Sequence, residues 1–444
     1  MTVDTLTLLI ETARQKGAAE AEAVGLDDSS LDIEVAQGIV ETLSFSESKG
    51  IGLRVFTDDR RMGFAYSSRR DDDLECVVDA ALANALQCAP DEHNVLPADA
   101  GTSDDDWREE EFETIPVERK VRLAQDLERR TLESDRRITH VQEAGYSDGR
   151  RAIRVVNSRG LYRIFQTAQC ACWVVAAAKE DGVDAERSSE FDIQRRFDAL
   201  RSDWVAQQCA ERATRSLGAK PLRTRCVPVV FENRVTASLL GVLGPALTAS
   251  SVLKRKSLFQ DCAGERVAAA AVTIVDQNDH PDGSGRAPFD GEGAAGQRTV
   301  LVDEGRLVGF LHNAYTAHRM KTHTTANAGR GGFRSAPEVS PSCFLLEPGP
   351  RPCEDLVKEA GHGLWITGAM GVHTADAISG DFSFGVSGLM IEGGAVTGPF
   401  RGVTAAGNMK DVLARIVTPA NDLRFFGAYG APSVLVSELV VSGE

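Results

Sequence analysis

The chain has 444 residues, of which 42% are hydrophobic and 26% charged, a composition that fits a globular protein with two or three cores and excludes a fibrous or unfolded one. Its net charge is -16, so nucleic acid is repelled unless a local basic patch intervenes, and the basic clusters Arg136-Arg137 and Lys254-Arg255-Lys256 are too short for that. No apolar run approaches the roughly 20 residues of a membrane helix, the start Met1-Thr2-Val3-Asp4-Thr5-Leu6 lacks an export signal, and the nine scattered cysteines are expected to be reduced thiols in a cytoplasmic protein.

Leu6, Leu9, Ile10 and Ala13 recur on one helical face, and Gly17 follows as a stop. From Leu31 to Ser67 the period changes to two: Leu31, Ile33 and Val35 alternate with polar residues, and Asp58-Asp59 marks a turn between two further strands. Asp71 to Cys88 reads as a helix. Residues 89–116 lack a period and read as an exposed connection, with Asp104-Asp105-Asp106 facing solvent rather than a metal. Val117 to Glu133 is a charged helix, followed by strands over about 138–178 with Asn157-Ser158-Arg159-Gly160 as a turn. Cys170 and Cys172, two apart, share a strand face and are expected to pack rather than bind metal. Asp203 to Leu217 is another helix. Beyond Lys220-Pro221 come a strand at Val227 to Phe231, an apolar helix at Val235 to Leu247, and short strands separated by glycines. The expected fold is α+β: an N-terminal α/β region with antiparallel strands and helices, then a β-rich C-terminal domain. The expected divisions are 1–98, 117–218 (one domain with the first) and 221–444.

Two glycine-rich segments are the chain's most specific features, Asp279 to Gly293 and Gly380 to Gly394. In the second, Asp381 and Ser383 alternate with Phe382 and Phe384, so a strand puts the aromatics in the core and the polar pair on the open face. Gly385 and Gly388 permit close backbone approach. An extended peptide could pair with such an edge; an internal strand with glycine bulges fits the residues equally well. Asp290 and Glu292 exclude a phosphate loop from the first segment and are assigned, with the 380s residues, to a peptide groove or interface.

A zinc peptidase helix places a general-base Glu beside a His ligand, yet no His-Glu dipeptide occurs in the chain. His312, His318 and His323 are spaced for different faces of a continuous helix. Glu359 and His362 are flanked by Gly361 and Gly363, which favour a loop. Neither Ser284 nor Ser387 has the spacing of a nucleophile elbow.

With these residues in view the chain resembles the TldD/PmbA family, known also as modulators of DNA gyrase. The resemblance rests on Gly50 to Val55, on Asn157 to Gly160, on Gly285 to Gly293 with Ser284 just ahead, and on Gly380 to Ser383 with Ile391-Glu392. It implies a two-subunit peptidase whose TldD-type chain binds zinc through a His-Glu-x-x-x-His helix and a later Cys. Spacing from Val229-Val230-Phe231 puts Gly241, Val242 and Ala246 at the three helix positions here, and no cysteine follows Cys353. No metal or catalytic residue is therefore carried over, and the resemblance is to the TldE (PmbA) side. It implies no cofactor in this chain, zinc in a TldD-like catalytic partner, and an unfolded peptide as substrate. The alternatives are a stand-alone, perhaps homodimeric, peptide-binding or scaffold protein, and a self-sufficient hydrolase built on His312, His318 or His323.

Overall fold

The computed structural model describes residues 3–68, 74–97 and 101–443, and divides into two compact units, residues 1–218 with 331–336, and residues 219–330 with 337–444.

The first unit runs α1 (Val3–Gln15), β1 (Glu20–Ala36), β2 (Ile39–Phe56), β3 (Met62–Ser67), α2 (Leu74–Gln87), β4 (Thr102–Asp106), α3 (Val117–Ser134), β5 (Ile138–Asn157), β6 (Tyr162–Ala178), β7 (Glu186–Gln194) and α4 (Ser202–Arg215). One seven-stranded sheet holds them together in the order β3-β2-β1-β5-β6-β4, with β7 also on β6. Leu6, Leu9, Ile10 and Ala13 of α1 are all buried, as their spacing requires, and pack with Ile51, Leu53 and Val55 of β2. The helix expected from Asp71 is seen from Leu74; residues 71–73 lie outside the described residues. Cys170 and Cys172 are buried free thiols, and burial pushes the Cys172 thiol up to about 12.

One strand departs from the expectation that residues 89–116 are an irregular connection, and another, β7, had no expectation attached to it. Residues 102–106 form β4, parallel to Tyr162–Gln166 of β6, and β7 pairs with Cys170–Ala178 of the same strand. Thr-Ser-Asp-Asp-Asp has little strand propensity; the unsatisfied edge of β6 recruits its backbone. Its acids still face outward in part, and Asp106 holds Arg108 at 2.6 Å.

The tip of the β1–β2 hairpin is tied down from α3. Gln37 and Gly38 both have positive φ, 54° and 74°, and their N–H groups donate to the two carboxylate oxygens of Glu128 at 2.6 and 2.8 Å. Gln125 donates to the Gly38 carbonyl at 2.9 Å.

The second unit has α5 (Asn233–Ala246), α6 (Ala249–Leu253), α7 (Ala314–Met320), α8 (Cys353–Ala360) and α9 (Met409–Ala414). One of its sheets has the order β11-β10-β9-β14-β20-β19, formed by β9 (Ile274–Gln277), β10 (Arg298–Asp303), β11 (Arg306–Leu307), β14 (Phe344–Leu346), β19 (Arg424–Phe426) and β20 (Tyr429–Ala431). The strands β12 (Ala328–Gly329) and β13 (Glu338–Val339) pair separately. The other sheet is formed by β8 (Arg225–Phe231), β15 (Gly363–Met370), β16 (Asp381–Glu392), β17 (Ala395–Asn408), β18 (Ile416–Pro419) and β21 (Val434–Ser442). Its order is β17-β16-β15-β8-β21-β18, and β17 also pairs with β21, so five strands close into a ring. Val235, Leu239, Leu240 and Leu243 of α5 share one core with Phe231, Phe344, Phe382 and Phe384. Fully burying each such side chain stabilises the unit by about 1.5–3 kcal/mol. Glu359, expected in a loop, lies in the last turn of α8 and pairs with Arg351 at 2.6 Å; Gly361, with φ of 62°, ends the helix before His362.

Candidate functional site

The two glycine-rich segments occupy different parts of the second unit. Asp381 and Ser383 are exposed on β16 while Phe382 and Phe384 are buried, their rings stacked 4.9 Å apart. The period of two thus works as the residues imply. The edge, however, is short. From Gly385 to Ile391 the strand is flanked by both β15 and β17, and Asp381–Phe384, with Glu392 at the hairpin end, pair with β17 alone. Bulges fall at Val386/Gly388 and Leu389/Ile391, and a Cβ on Gly388 would stand 2.0 Å from the Trp365 carbonyl oxygen. Gly388 is therefore a packing glycine, whereas a Cβ on the half-buried Gly385 would meet only Met370, at 3.9 Å. Asp381 Oδ1 accepts from Asn408 Nδ2 at 2.8 Å.

Asp290 and Glu292 do not line an open face. Asp290 is 8% exposed and Glu292 fully buried. Asp290 Oδ1 accepts the N–H groups of Glu292 (2.9 Å) and Ala294 (3.0 Å), and Oδ2 accepts that of Ala328 (3.0 Å). Glu292 Oε2 accepts the Ala314 N–H at the start of α7, 2.9 Å away. A Cβ on Gly291 would meet the Ala328 carbonyl oxygen at 2.6 Å, so the glycines let this loop close on a distant segment. Both acids anchor backbone, which corrects their assignment to a groove or interface. Their sequence neighbours gave no sign of this, because Ala314 and Ala328 arrive from elsewhere in the chain.

The same buried layer continues through Asp276, Asn278, Asn313 and Asn327. Asp276 accepts from Asn327 Nδ2 and the Ser342 N–H, each at 2.8 Å; Asn278 Nδ2 donates to the Ala326 carbonyl at 2.8 Å. Burial raises the Asp276 carboxyl above its ordinary range, and it raises Asp290 likewise, reinforced by the adjoining Glu292 charge.

The three histidines are not brought together on one helix. His312 precedes α7 and is buried, His318 lies on α7 and His323 beyond it, both exposed. Burial lowers His312 from 6.5 to about 4, with the Thr316 backbone opposing. The folded chain therefore binds fewer protons at this ring than the unfolded chain between those values. Its contribution is fully present above pH 6.5 and is lost as pH falls toward 4, approaching about 3 kcal/mol. Urea titrations of wild type and His312→Leu across this range check it: the variant's stability should fall less with acidification.

The segment assigned to a zinc helix is α5. Gly241, Val242 and Ala246 present no donor atom there, and Ala246 is buried in the core. The space beside Gly241 and Gly244 is taken by Tyr429, whose ring lies 3.8 Å from a Cβ built at Gly241 and 2.9 Å from one at Gly244; Pro341 also approaches Gly244, at 3.1 Å. Tyr429 and Pro341 were not singled out from the sequence. Pairing of β20 with β14 and β19 places Tyr429 there, and no local pattern records that.

Family models match nearly all of this two-unit chain. The PmbA/TldA metallopeptidase C-terminal domain matches residues 224–443, the central domain residues 110–217, and domain 1 residues 21–85. The chain belongs to the PmbA/TldD family. It is 27% identical to the metalloprotease PmbA of Escherichia coli O157:H7 over 96% of this chain and 92% of that protein. It is 26% identical to the metalloprotease PmbA homolog of Haemophilus influenzae, over 99% and 95%. Its fold matches that of TldE from Thermococcus kodakarensis with a TM-score of 0.89 at 20% identity, covering 99% of this chain and all of that one.

A metallopeptidase family implies a catalytic metal, conventionally held by His, Cys or carboxylate side chains with a position left open. The α5 residues do not fit it, since glycine, valine and alanine side chains carry no ligand atom. Among the described residues no group of three or more His, Cys, Asp or Glu side chains is arranged to hold a metal ion.

Proposed function

We propose that this chain is the non-catalytic, TldE (PmbA)-type subunit of a heterodimeric zinc metallopeptidase acting on unfolded peptides, in peptide maturation or degradation in the cytoplasm. What supports the reading is α5: where the resemblance places the zinc ligands the helix carries Gly241, Val242 and Ala246, and the Tyr429 ring fills the space beside Gly241 and Gly244. Zinc and the general base then belong to a TldD-like partner, and this chain contributes interface and groove wall. Asp381 and Ser383, exposed on the short open edge of β16, are the groove residues this reading retains.

Co-expression with a TldD-like chain tests it. The expected result is a stable complex that cleaves an unfolded peptide, with zinc in the partner and no cleavage by this chain alone. Stoichiometric zinc in the isolated chain, or failure to associate with such a partner, would overturn it; the latter favours a stand-alone peptide-binding protein. In the active complex, Ser383→Lys or Asp381→Lys should lower kcat/KM by about tenfold, the loss of one or two main-chain and polar contacts to substrate. Unchanged cleavage would remove these residues from the groove.

A further inference from the structure

Two short helices of the second unit close in the same way. At the end of α6 the Arg255 N–H donates to the Val252 carbonyl at 3.0 Å and the Lys256 N–H to that of Ser251 at 2.8 Å. At the end of α7 the Lys321 N–H donates to the His318 carbonyl at 3.3 Å and the Thr322 N–H to that of Ala317 at 2.9 Å. This pair of bonds is a Schellman close, whose left-handed residue is ordinarily glycine because a Cβ is strained there. Here that residue is Arg255 in one turn and Lys321 in the other, each with φ of 54°. Complementing the helix dipole does not call for a cation at this position. Any basic residue in the last turn does that, and α7 already has Arg319. The strained positions instead hold charge out at the surface. Lys254, Arg255, Lys256, Arg319 and Lys321 are all exposed, and none is in an ion pair with a described residue. Both turns are fixed from beneath. Ser257 Oγ donates to the Ala246 carbonyl at 2.6 Å beside the fully buried Phe259, and Glu292 and the Asn313 capping box hold the start of α7.

We infer that these two basic turns form a docking site for an acidic segment of an unfolded peptide, its carboxylates set against Arg255 and Lys321. A parallel bridge between Thr248 and Leu311 starts the two helices side by side. Both are short, so the turns lie within roughly 35 Å of each other, a span that about ten extended residues cover. Charge selects the occupant. The net charge of -16 opposes a long polyanion such as nucleic acid. A short acidic segment answers mainly to the cations within a Debye length, about 8–10 Å. The ring beside the second turn, Tyr315, offers bases no open stacking face: the Arg319 guanidinium lies over it at 6.0 Å and donates to its hydroxyl at 2.7 Å. Binding at these turns needs no catalytic partner.

Fluorescence anisotropy tests this, with the purified full chain titrated at low salt into a labelled, unstructured peptide of about twelve residues, half of them Glu. Wild type should bind the peptide, and binding should weaken steadily as salt rises. The same peptide with Gln for every Glu should not bind. Arg255→Gly with Lys321→Gly should weaken binding by about tenfold or more. Its thermal midpoint should equal or exceed that of wild type, because glycine takes a φ of 54° without strain. A double variant that loses stability together with binding would show that the two cations serve the fold, and would overturn the inference. Absence of binding by wild type, undiminished binding by the double variant, or tighter binding of a single-stranded oligonucleotide of equal charge would each overturn it too. None of these outcomes bears on cleavage by a complex with a TldD-like chain, the separate test of the proposed function.

Discussion

Replacing Asp148 with alanine is expected to lower the stability of the first unit by roughly 3–5 kcal/mol, the cost of leaving a buried charge without its partner. Asp148 on β5 and Lys120 on α3 are 8% and 2% exposed, and Lys120 Nζ lies 2.5 Å from Asp148 Oδ2. The Tyr146 hydroxyl donates to the same carboxylate at 2.8 Å, and burial raises the Tyr146 phenol well above its ordinary value, keeping it a donor. Removing the carboxylate therefore strands both an ammonium and a hydroxyl inside the sheet–helix layer. Urea denaturation of Asp148→Ala measures the loss. Replacing both partners, Lys120→Met with Asp148→Leu, should recover most of it, because no charge is then buried. A single-variant loss below about 1 kcal/mol, the range of exposed pairs, would show that water reaches the pair.

Asp290→Ala is expected to cost the second unit a comparable amount. Three backbone N–H groups, those of Glu292, Ala294 and Ala328, lose their acceptor at once. Each buried unsatisfied donor costs about 1–3 kcal/mol, and partial collapse of the loop brings the sum to roughly 3–5 kcal/mol. Asp290→Asn keeps one acceptor oxygen and should fall between the alanine variant and wild type. Thermal unfolding of the three proteins orders them, and faster proteolysis within residues 289–296 should accompany the loss. Equal stability of all three would mean that the loop is held without the Asp290 carboxylate, by its backbone bonds and by Glu292 and Arg330, whose bonds reach the Ala314 N–H and the Gly291 carbonyl.

The elements that were legible are those whose signal is local. The face of α1, the apolar run of α5 and the alternation along Asp381–Phe384 each follow from a period set by a few neighbouring residues. β4 and β7 were illegible for the opposite reason: Thr102–Asp106 and Glu186–Gln194 are strands because β6 offers an edge to each. Asp290 and Glu292 misled for the same reason. A charged, glycine-rich loop ordinarily belongs to solvent, and only the approach of Ala314 and Ala328 makes it cheaper to bury these carboxylates than to expose them.

The sequence by itself determined the family, through segments spread along the chain. It also determined that α5 carries no ligand at residues 241, 242 and 246, since a missing donor atom is a property of the residue and not of the fold. Tertiary structure decided the rest. It closed β16 into a ring with a short edge at Asp381–Phe384, turned the acidic signature into an internal brace, laid Tyr429 over α5 and left β2 open from Ile39 to Gly50. Each of these depends on contacts between residues far apart in the chain, whose burial and hydrogen bonding no local period encodes.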